Sequence, residues 1–464
     1  MKGMNFMQKE ENLAYRSLQL NGDSLTPIDI FLRLTGEKKF ILESTFTHQH
    51  KGKYSFLGAN PYEEIVGYGN ETTIINYKTQ ETQTVQRNAL TYLEQSLPHI
   101  DLDIPSPFYG GAIGYISYET VRSIENIGER LPDPLSMPDI HFMIYQDVII
   151  FDHTNQTIRA VAIQFPNDTD VDERLKQLKQ QLTQPVKEKP TPDMNFTFTP
   201  EITQEAFEQQ VRIAKEHIQL GNIFQIVLSQ RMQAKVTGDP FSFYRKLRHV
   251  NSSPYMFYIN FSNYCVLGAS PESLLQTNGK NVMTNPIAGT RPRGANKAED
   301  NQREKDLLQD KKEIAEHQML IDLSRNDLGK ICEIGSITIP TYMTIEKYTS
   351  VMHIVSEVHG KLKDNMTSFA ALKSCLPAGT VSGAPKISAM QIINQLEKQA
   401  RGVYGGGIGF INFNHDVNMV LAIRSLIIKD QTAYLQAGAG IVFDSDPESE
   451  FKETIYKAQS LTEV

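Results

Sequence analysis

With 464 residues, the chain is long enough for one large domain or two to three ordinary ones. It is 40% hydrophobic and 22% charged with a formal net charge of −8, which suits a soluble globular protein and sets nucleic acid aside as the main partner. Three widely spaced cysteines, an N-terminus without a signal-like apolar core, and no run of 18 apolar residues exclude a disulfide framework and a membrane span and point to the cytoplasm.

In chain order, short strands dominate the first part. "TTIINY" and "QTVQ" come first, then "FMIYQDVIIF" and "TIRAVAIQF" around the turn "DHTNQT". A polar helix is predicted over about 169–183. The stretch 181–200, "QLTQPVKEKPTPDMNFTFTP", is rich in Pro, Thr and Lys, and its middle reads as a surface linker. It divides the sequence into regions 1–183, 184–199 and 200–464.

Beyond the linker, Phe207, Val211, Ala214 and Ile218 recur at helical spacing. Strands follow in "FQIVLSQRMQAKV", "YMFYINF" and "YCVLGAS", then one long charged helix is predicted over about 300–326. "VMHIVSEVHGKL" alternates like a strand; helices are predicted near 367–376 and 385–399, and strands in "GVYGGGIGFI", "NMVLAIRSLIIK" and "TAYLQAGAGIVF". Hairpin-like strand pairs interspersed with helices give α+β with mainly antiparallel sheets flanked by helices. The last helix begins at "SDPESEFKETIYKA": Asp446 can cap it and Pro447 suits its first position.

On that last helix Phe451, Ile455 and Ala458 form an apolar stripe, while Glu450, Glu453 and Lys457 share a separate arc. E-x-x-E occurs three times, at Glu205/Glu208, Glu313/Glu316 and Glu450/Glu453. The first pair opens a helix, where acidic residues suit the macrodipole. Glutamates at such spacing are common on solvated faces. Four of them brought together, however, would repel and hold their protons unless a cation compensated. All-oxygen ligation suits Mg²⁺, with Arg424 and Lys457 as candidate cationic partners for a substrate carboxylate. The glycine-rich "PAGTVSGAPK" and "AGAGIV" fit neither a P-loop nor a dinucleotide fingerprint. By itself His353, on an apolar strand, reads as a hydrogen-bonded core histidine.

Five motifs carry a resemblance: "PIAGTRPRG" (286–294), "EHQMLIDLSRNDLG" (316–329), "VMHIVSEVHG" (351–360), "PAGTVSGAPK" (377–386) and "AGAGIVFDSDPESEFKET" (437–454). Together they resemble the chorismate-utilising enzymes, and among these the anthranilate synthase large-subunit family. The resemblance is collinear, covers nearly the whole chain, and is strongest from about residue 200. It implies that fold, an N-terminal regulatory region over 1–183 and a chorismate-binding catalytic domain over 200–464.

The resemblance also implies roles. Glu316 and Glu453 would ligate Mg²⁺, with Glu313 and Glu450 supporting through water, and the metal would hold the ring carboxylate of chorismate. Gly289, Thr290 and the backbone of Gly438, Ala439 and Gly440 would bind the same end, with Lys457 balancing charge. Tyr404 and Arg424 would hold the enolpyruvyl carboxylate, Glu272 in "GASPESL" would be the general acid, and His353 would move a proton near the ring. In isochorismate- and salicylate-forming relatives a lysine base stands where this chain has Gln225, and in aminodeoxychorismate synthases a lysine nucleophile stands at Ala288. Their absence favours ammonia as nucleophile.

No cysteine lies in a glutaminase-like G-x-C-x-G context, so the family pattern implies a separate glutamine amidotransferase subunit and a heterotetramer. "FILESTF" (40–46) and "SSPYMFY" (252–258) resemble the family's tryptophan-binding segments, with Glu43 and Ser44 facing Pro254, Tyr255 and Met256. Two other classes stay open: a catalytically dead amino-acid sensor, and a Mg²⁺-dependent phosphoryl-transfer enzyme.

Overall fold

The computed structural model describes residues 15–44, 52–166, 168–185, 194, 196–251, 253–348 and 351–462. The N-terminal stretch, Thr45 and Phe46 of the 40–46 segment, Ser252, and most of the 184–199 stretch lie outside the described residues.

Among those residues, two twelve-stranded sheets form, antiparallel in every pairing. The first runs Tyr15–Asn21, Thr157–Ile163, Asp147–Asp152, Tyr54–Gly58, Phe40–Ser44, Tyr255–Asn260, Tyr264–Ser270, Ser425–Lys429, Thr432–Ile441, Gln225–Lys235 and Thr199–Pro200, with Gly383–Ala384 against Gln225–Lys235. The second runs Ile287–Pro292, Val351–Lys361, Asn281–Thr284, Ser273–Asn278, Val417–Leu421, Gly407–Asn412, Gly111–Ile116, Ile140–Tyr145, Glu63–Tyr68, Glu71–Asn76 and Glu81–Gln86. Thr338–Lys347 pairs with Val351–Lys361. Strands from both sides of 184–199 enter both sheets, so that stretch divides the sequence without dividing the sheets. At its end, Met194 is buried and Phe196 packs against the core.

Successive side chains point to opposite faces, and runs of consecutive apolar residues make the first sheet hydrophobic on both. Phe40, Leu42, Phe56, Phe257 and Val266 face the main core, which they share with Ile113, Phe142 and Ile408 of the second sheet. Their neighbours Ile41, Leu57, Met256, Tyr258 and Leu267 face the other way, onto the helices Pro27–Arg33, Val171–Thr183 and Pro240–Val250. The helix Gln204–Gln219 buries Phe207, Val211 and Ala214 against Ile226, Leu228, Ala439 and Ile441.

The long charged helix predicted over 300–326 is two helices, Lys297–Gln309 and Lys311–Ile331. Asp310 breaks it: its backbone is extended (φ −72°, ψ 105°) and its carboxylate accepts from the amides of Lys312 and Glu313. A short acidic side chain competing with the helix for its own backbone donors is a common stop and restart. No described helix is long and apolar enough to cross a membrane.

Candidate active site

The last helix, Pro447–Thr462, starts as the sequence suggests, Asp446 accepting from the Ser449 amide (3.0 Å) and hydroxyl (2.8 Å). Ala458 is buried, and Phe451 and Ile455 pack on the cores. This fixes the acidic arc beside the strand Thr432–Ile441. Lys457 Nζ donates to Gly438 O (2.9 Å) and pairs with Glu453 (2.7 Å). Glu450 is buried, and its carboxyl is pushed up by burial and then by the charge of Glu453, against a hydrogen bond from Ser445.

Glycine at 438 and 440 is a matter of space. A Cβ on Gly438 would lie 2.6 Å from the Tyr404 hydroxyl oxygen, and one on Gly440 2.8 Å from Gln225 Nε2 and 3.6 Å from Glu316 Oε1. Both residues open the same strand face, whereas Ala439 points into the core behind. All three residues can therefore offer the site only backbone.

Glu316 enters from the helix Lys311–Ile331 and accepts from Gln225 Nε2 (3.0 Å). Its carboxyl is raised by burial first and by Glu313 further, while Gln225 and Lys457 oppose. Glu313 is paired with Arg291 (3.1 Å). Gly289 has φ 67°, and its absent side chain leaves room for Glu313 Oε2, which would lie 3.1 Å from a Cβ there.

His353 is buried against the same loop. Its Nδ1 lies 2.8 Å from Gly289 O and 3.1 Å from Thr290 Oγ1. A carbonyl can only accept, so Nδ1 carries the proton and Nε2 keeps its lone pair. Burial pushes the imidazole down to about 4, with Arg424 and Lys457 adding to the effect and the Gly289 carbonyl opposing it. His353 is thus a neutral base at neutral pH. Arg424 sits in the left-handed region (φ 51°), and its carbonyl is fixed by the Ala269 amide (3.0 Å). Burial holds the Tyr404 phenol up at about 12, so it remains a donor.

Glu272 lies where the strand Tyr264–Ser270 of one sheet passes into Ser273–Asn278 of the other. It is 4% exposed, accepts from Thr380 Oγ1 (2.7 Å), and is pushed by burial up to about 8. A carboxyl that keeps its proton at pH 7 can act as an acid.

Glu316 thus approaches the glycine-lined wall that Lys457 and Tyr404 also border, with Glu453 on Lys457, while Glu313 lies against Gly289, the residue that His353 also contacts. Oxygen donors whose carboxyls are raised by burial and by one another suit a hard divalent cation. Among the described residues, however, no group of three or more His, Cys, Asp or Glu is gathered closely enough to hold a metal; Glu453 and Glu313 are held by Lys457 and Arg291 instead.

The two segments expected at the regulatory site are adjacent strands, with Ser44 opposite Tyr255 and Glu43 opposite Met256. Pro254 precedes that pairing. Ser44 Oγ donates to Tyr54 O (3.1 Å). Glu43 is buried and already satisfied: Tyr244 and Arg248 donate to one oxygen (2.7 Å each) and Ser55 to the other (3.1 Å). Thr380, Arg291, Tyr244 and Arg248 escaped sequence reasoning as partners. Thr380 and Arg291 stand in quoted motifs, but Thr380 is 108 residues from Glu272, beyond any local spacing rule.

A family model described as chorismate binding enzyme matches residues 37–463. The chain belongs to that family. Anthranilate synthase component 1 from Lactococcus lactis subsp. lactis (strain IL1403) is 41% identical, over 96% of this chain and 98% of its own. Its counterpart from Aquifex aeolicus (strain VF5) is 39% identical, over 95% and 92%. The crystal structure of anthranilate synthase component I from Streptococcus pneumoniae TIGR4 aligns at TM-score 0.83 and 39% identity, covering 95% of this chain and 98% of that one. The menaquinone-specific isochorismate synthase from Escherichia coli shares the fold, at TM-score 0.73 and 18% identity over 97% and 95%.

Proposed function

We propose that this chain converts chorismate and ammonia to anthranilate and pyruvate, the first step of tryptophan biosynthesis. Ammonia comes from glutamine through a partner amidotransferase in a heterotetramer, and tryptophan inhibits by feedback. The observation that carries the reading is the pairing of a protonated acid with a site that lacks a side-chain base at 225. Glu272 titrates near 8, and Gln225 spends its amide on Glu316. Water as nucleophile needs a base there; ammonia does not. The high identity to anthranilate synthase component 1 sequences supports the same choice.

In this reading ammonia adds at ring C2 while the C4 hydroxyl leaves as water, taking its proton from Glu272. The added nitrogen gives up its surplus proton, which restores the acid form of Glu272. The C3–O bond then breaks, and His353, with Nε2 unprotonated, accepts the C2 proton as aromaticity is gained. The departing enolpyruvyl group takes up one proton at its methylene carbon to become pyruvate. Tyr404 and Arg424 hold the enolpyruvyl carboxylate, and Gly289, Thr290 and the 438–440 backbone face the ring carboxylate. Glu316 and Glu453 would hold Mg²⁺ with Glu313 and Glu450 behind them, which requires Glu453 to exchange Lys457 for the ion. When bound, Mg²⁺ neutralises and orients the ring carboxylate. Chorismate supplied with ammonium salt and Mg²⁺, and product identified by fluorescence and mass, tests the reading. Isochorismate as the product would instead favour the water-using branch.

A further inference from the structure

Glu272 sits at the corner where the chain leaves the first sheet and enters the second. Its backbone is tied on both sides. Ser270 Oγ accepts from the Glu272 amide (3.4 Å) and donates to Leu421 O (2.8 Å), while the Leu421 amide donates to Glu272 O (2.9 Å). Tyr255 spans this corner. Its backbone is the ladder partner of Ser270, and its phenol oxygen accepts from Gln276 Nε2 (3.0 Å) on the strand Ser273–Asn278, beyond Glu272. One residue therefore grips the chain before and after the acid, and its half-buried ring packs against the main core.

The other edge of Tyr255 is paired with Ser44. Ser44, Tyr255 and Ser270 form one rung across three adjacent strands, about 10 Å in all at the usual inter-strand spacing. We infer that Tyr255 is a positioning residue that braces Glu272. This rests on the assignment of Glu272 as general acid under "Proposed function". Tyr255 cannot move without loosening either Ser270 or Gln276.

Tyr255→Phe removes only the phenol oxygen, and Gln276→Leu removes its partner. Each variant is assayed with chorismate and ammonium across pH, and amide hydrogen exchange is followed over 268–278. The brace predicts a roughly fivefold loss of kcat in each, the size of one net hydrogen bond, with KM for chorismate changed less than about twofold. The limb titrating near 8 moves to lower pH, exchange quickens over 272–278, and the double variant loses no more than either single one. Wild-type kcat and pH profile in Tyr255→Phe, or losses that add in the double variant, would overturn it. Should wild type form no anthranilate, the functional reading fails by itself. Exchange then still decides the brace: unchanged protection over 272–278 in Tyr255→Phe counts against it, and loosening confined there supports it.

Discussion

Lys457 Nζ lies 2.7 Å from a Glu453 carboxylate oxygen and at the same time donates to Gly438 O at 2.9 Å. One ammonium thus neutralises an acidic helix edge and ties it to the strand that carries the glycine wall. Glu453 is half-exposed, so this pair contributes little to stability and is free to exchange for a stronger cation. Glu453→Gln and Glu316→Gln should each lower turnover by at least about a hundredfold with an unchanged circular dichroism spectrum. Titration of Mg²⁺ against each variant checks this; near-normal activity at saturating Mg²⁺ in both would remove the metal assignment.

The carboxyl of Glu272 titrates near 8 in the folded chain against an ordinary 4.5, so the folded state binds the extra proton between those values. Stability from this group is fully present below about 4.5 and is lost as pH rises through 8. Glu272→Gln should therefore raise Tm relative to wild type at pH 9 and change it little at pH 4. The same variant should lose about a hundredfold or more in kcat, an acid's usual worth. Equal Tm differences at the two pH values would show that Glu272 is not held protonated.

Gly438 leaves space that Tyr404 fills. A methyl group there would lie 2.6 Å from the Tyr404 hydroxyl and 3.0 Å from Leu228 O. Gly438→Ala should therefore push Tyr404 aside and raise KM for chorismate about tenfold or more, as expected for loss of a positioned polar contact. Tyr404→Phe should share part of that loss. An unchanged KM in both would detach Tyr404 from the substrate.

Much of this was legible before any coordinates. The final helix, its Asp446 cap and its acidic arc follow from spacing alone, and they place Glu450, Glu453 and Lys457 correctly on one edge. Most antiparallel strand runs are equally readable from their apolar residues, but "FMIYQDVIIF" and "NMVLAIRSLIIK" each divide into two strands that enter different sheets. Other features were not legible. Asp310 splits one predicted helix into two, because a capping carboxylate outweighs a continuous charged pattern. Long-range partners such as Thr380 for Glu272, or Tyr244 and Arg248 for Glu43, arise from strand order across sheets that no local pattern encodes. Residue types were visible; their pairings were tertiary.

Ser44 hydrogen-bonds Tyr54 O and stands opposite Tyr255, so a larger apolar side chain there disturbs the strand edge without touching Glu316 or His353. Ser44→Leu should leave ammonia-dependent activity within about twofold of wild type and abolish most tryptophan inhibition, a coupling typically of about 1–3 kcal/mol. Paired tryptophan titrations at fixed chorismate and ammonia decide it. Equal sensitivity in the two proteins, or an insensitive wild type, would contradict the regulatory reading.

The central claim is tested most directly by giving the purified chain chorismate and Mg²⁺ with either ammonium chloride or glutamine. The account predicts anthranilate and pyruvate in equal amounts from ammonium, at a rate that rises with pH as NH₃ replaces NH₄⁺ until Glu272 loses its proton near 8, and none from glutamine. Anthranilate from glutamine without a partner, or chorismate left unconsumed with ammonium, would contradict it.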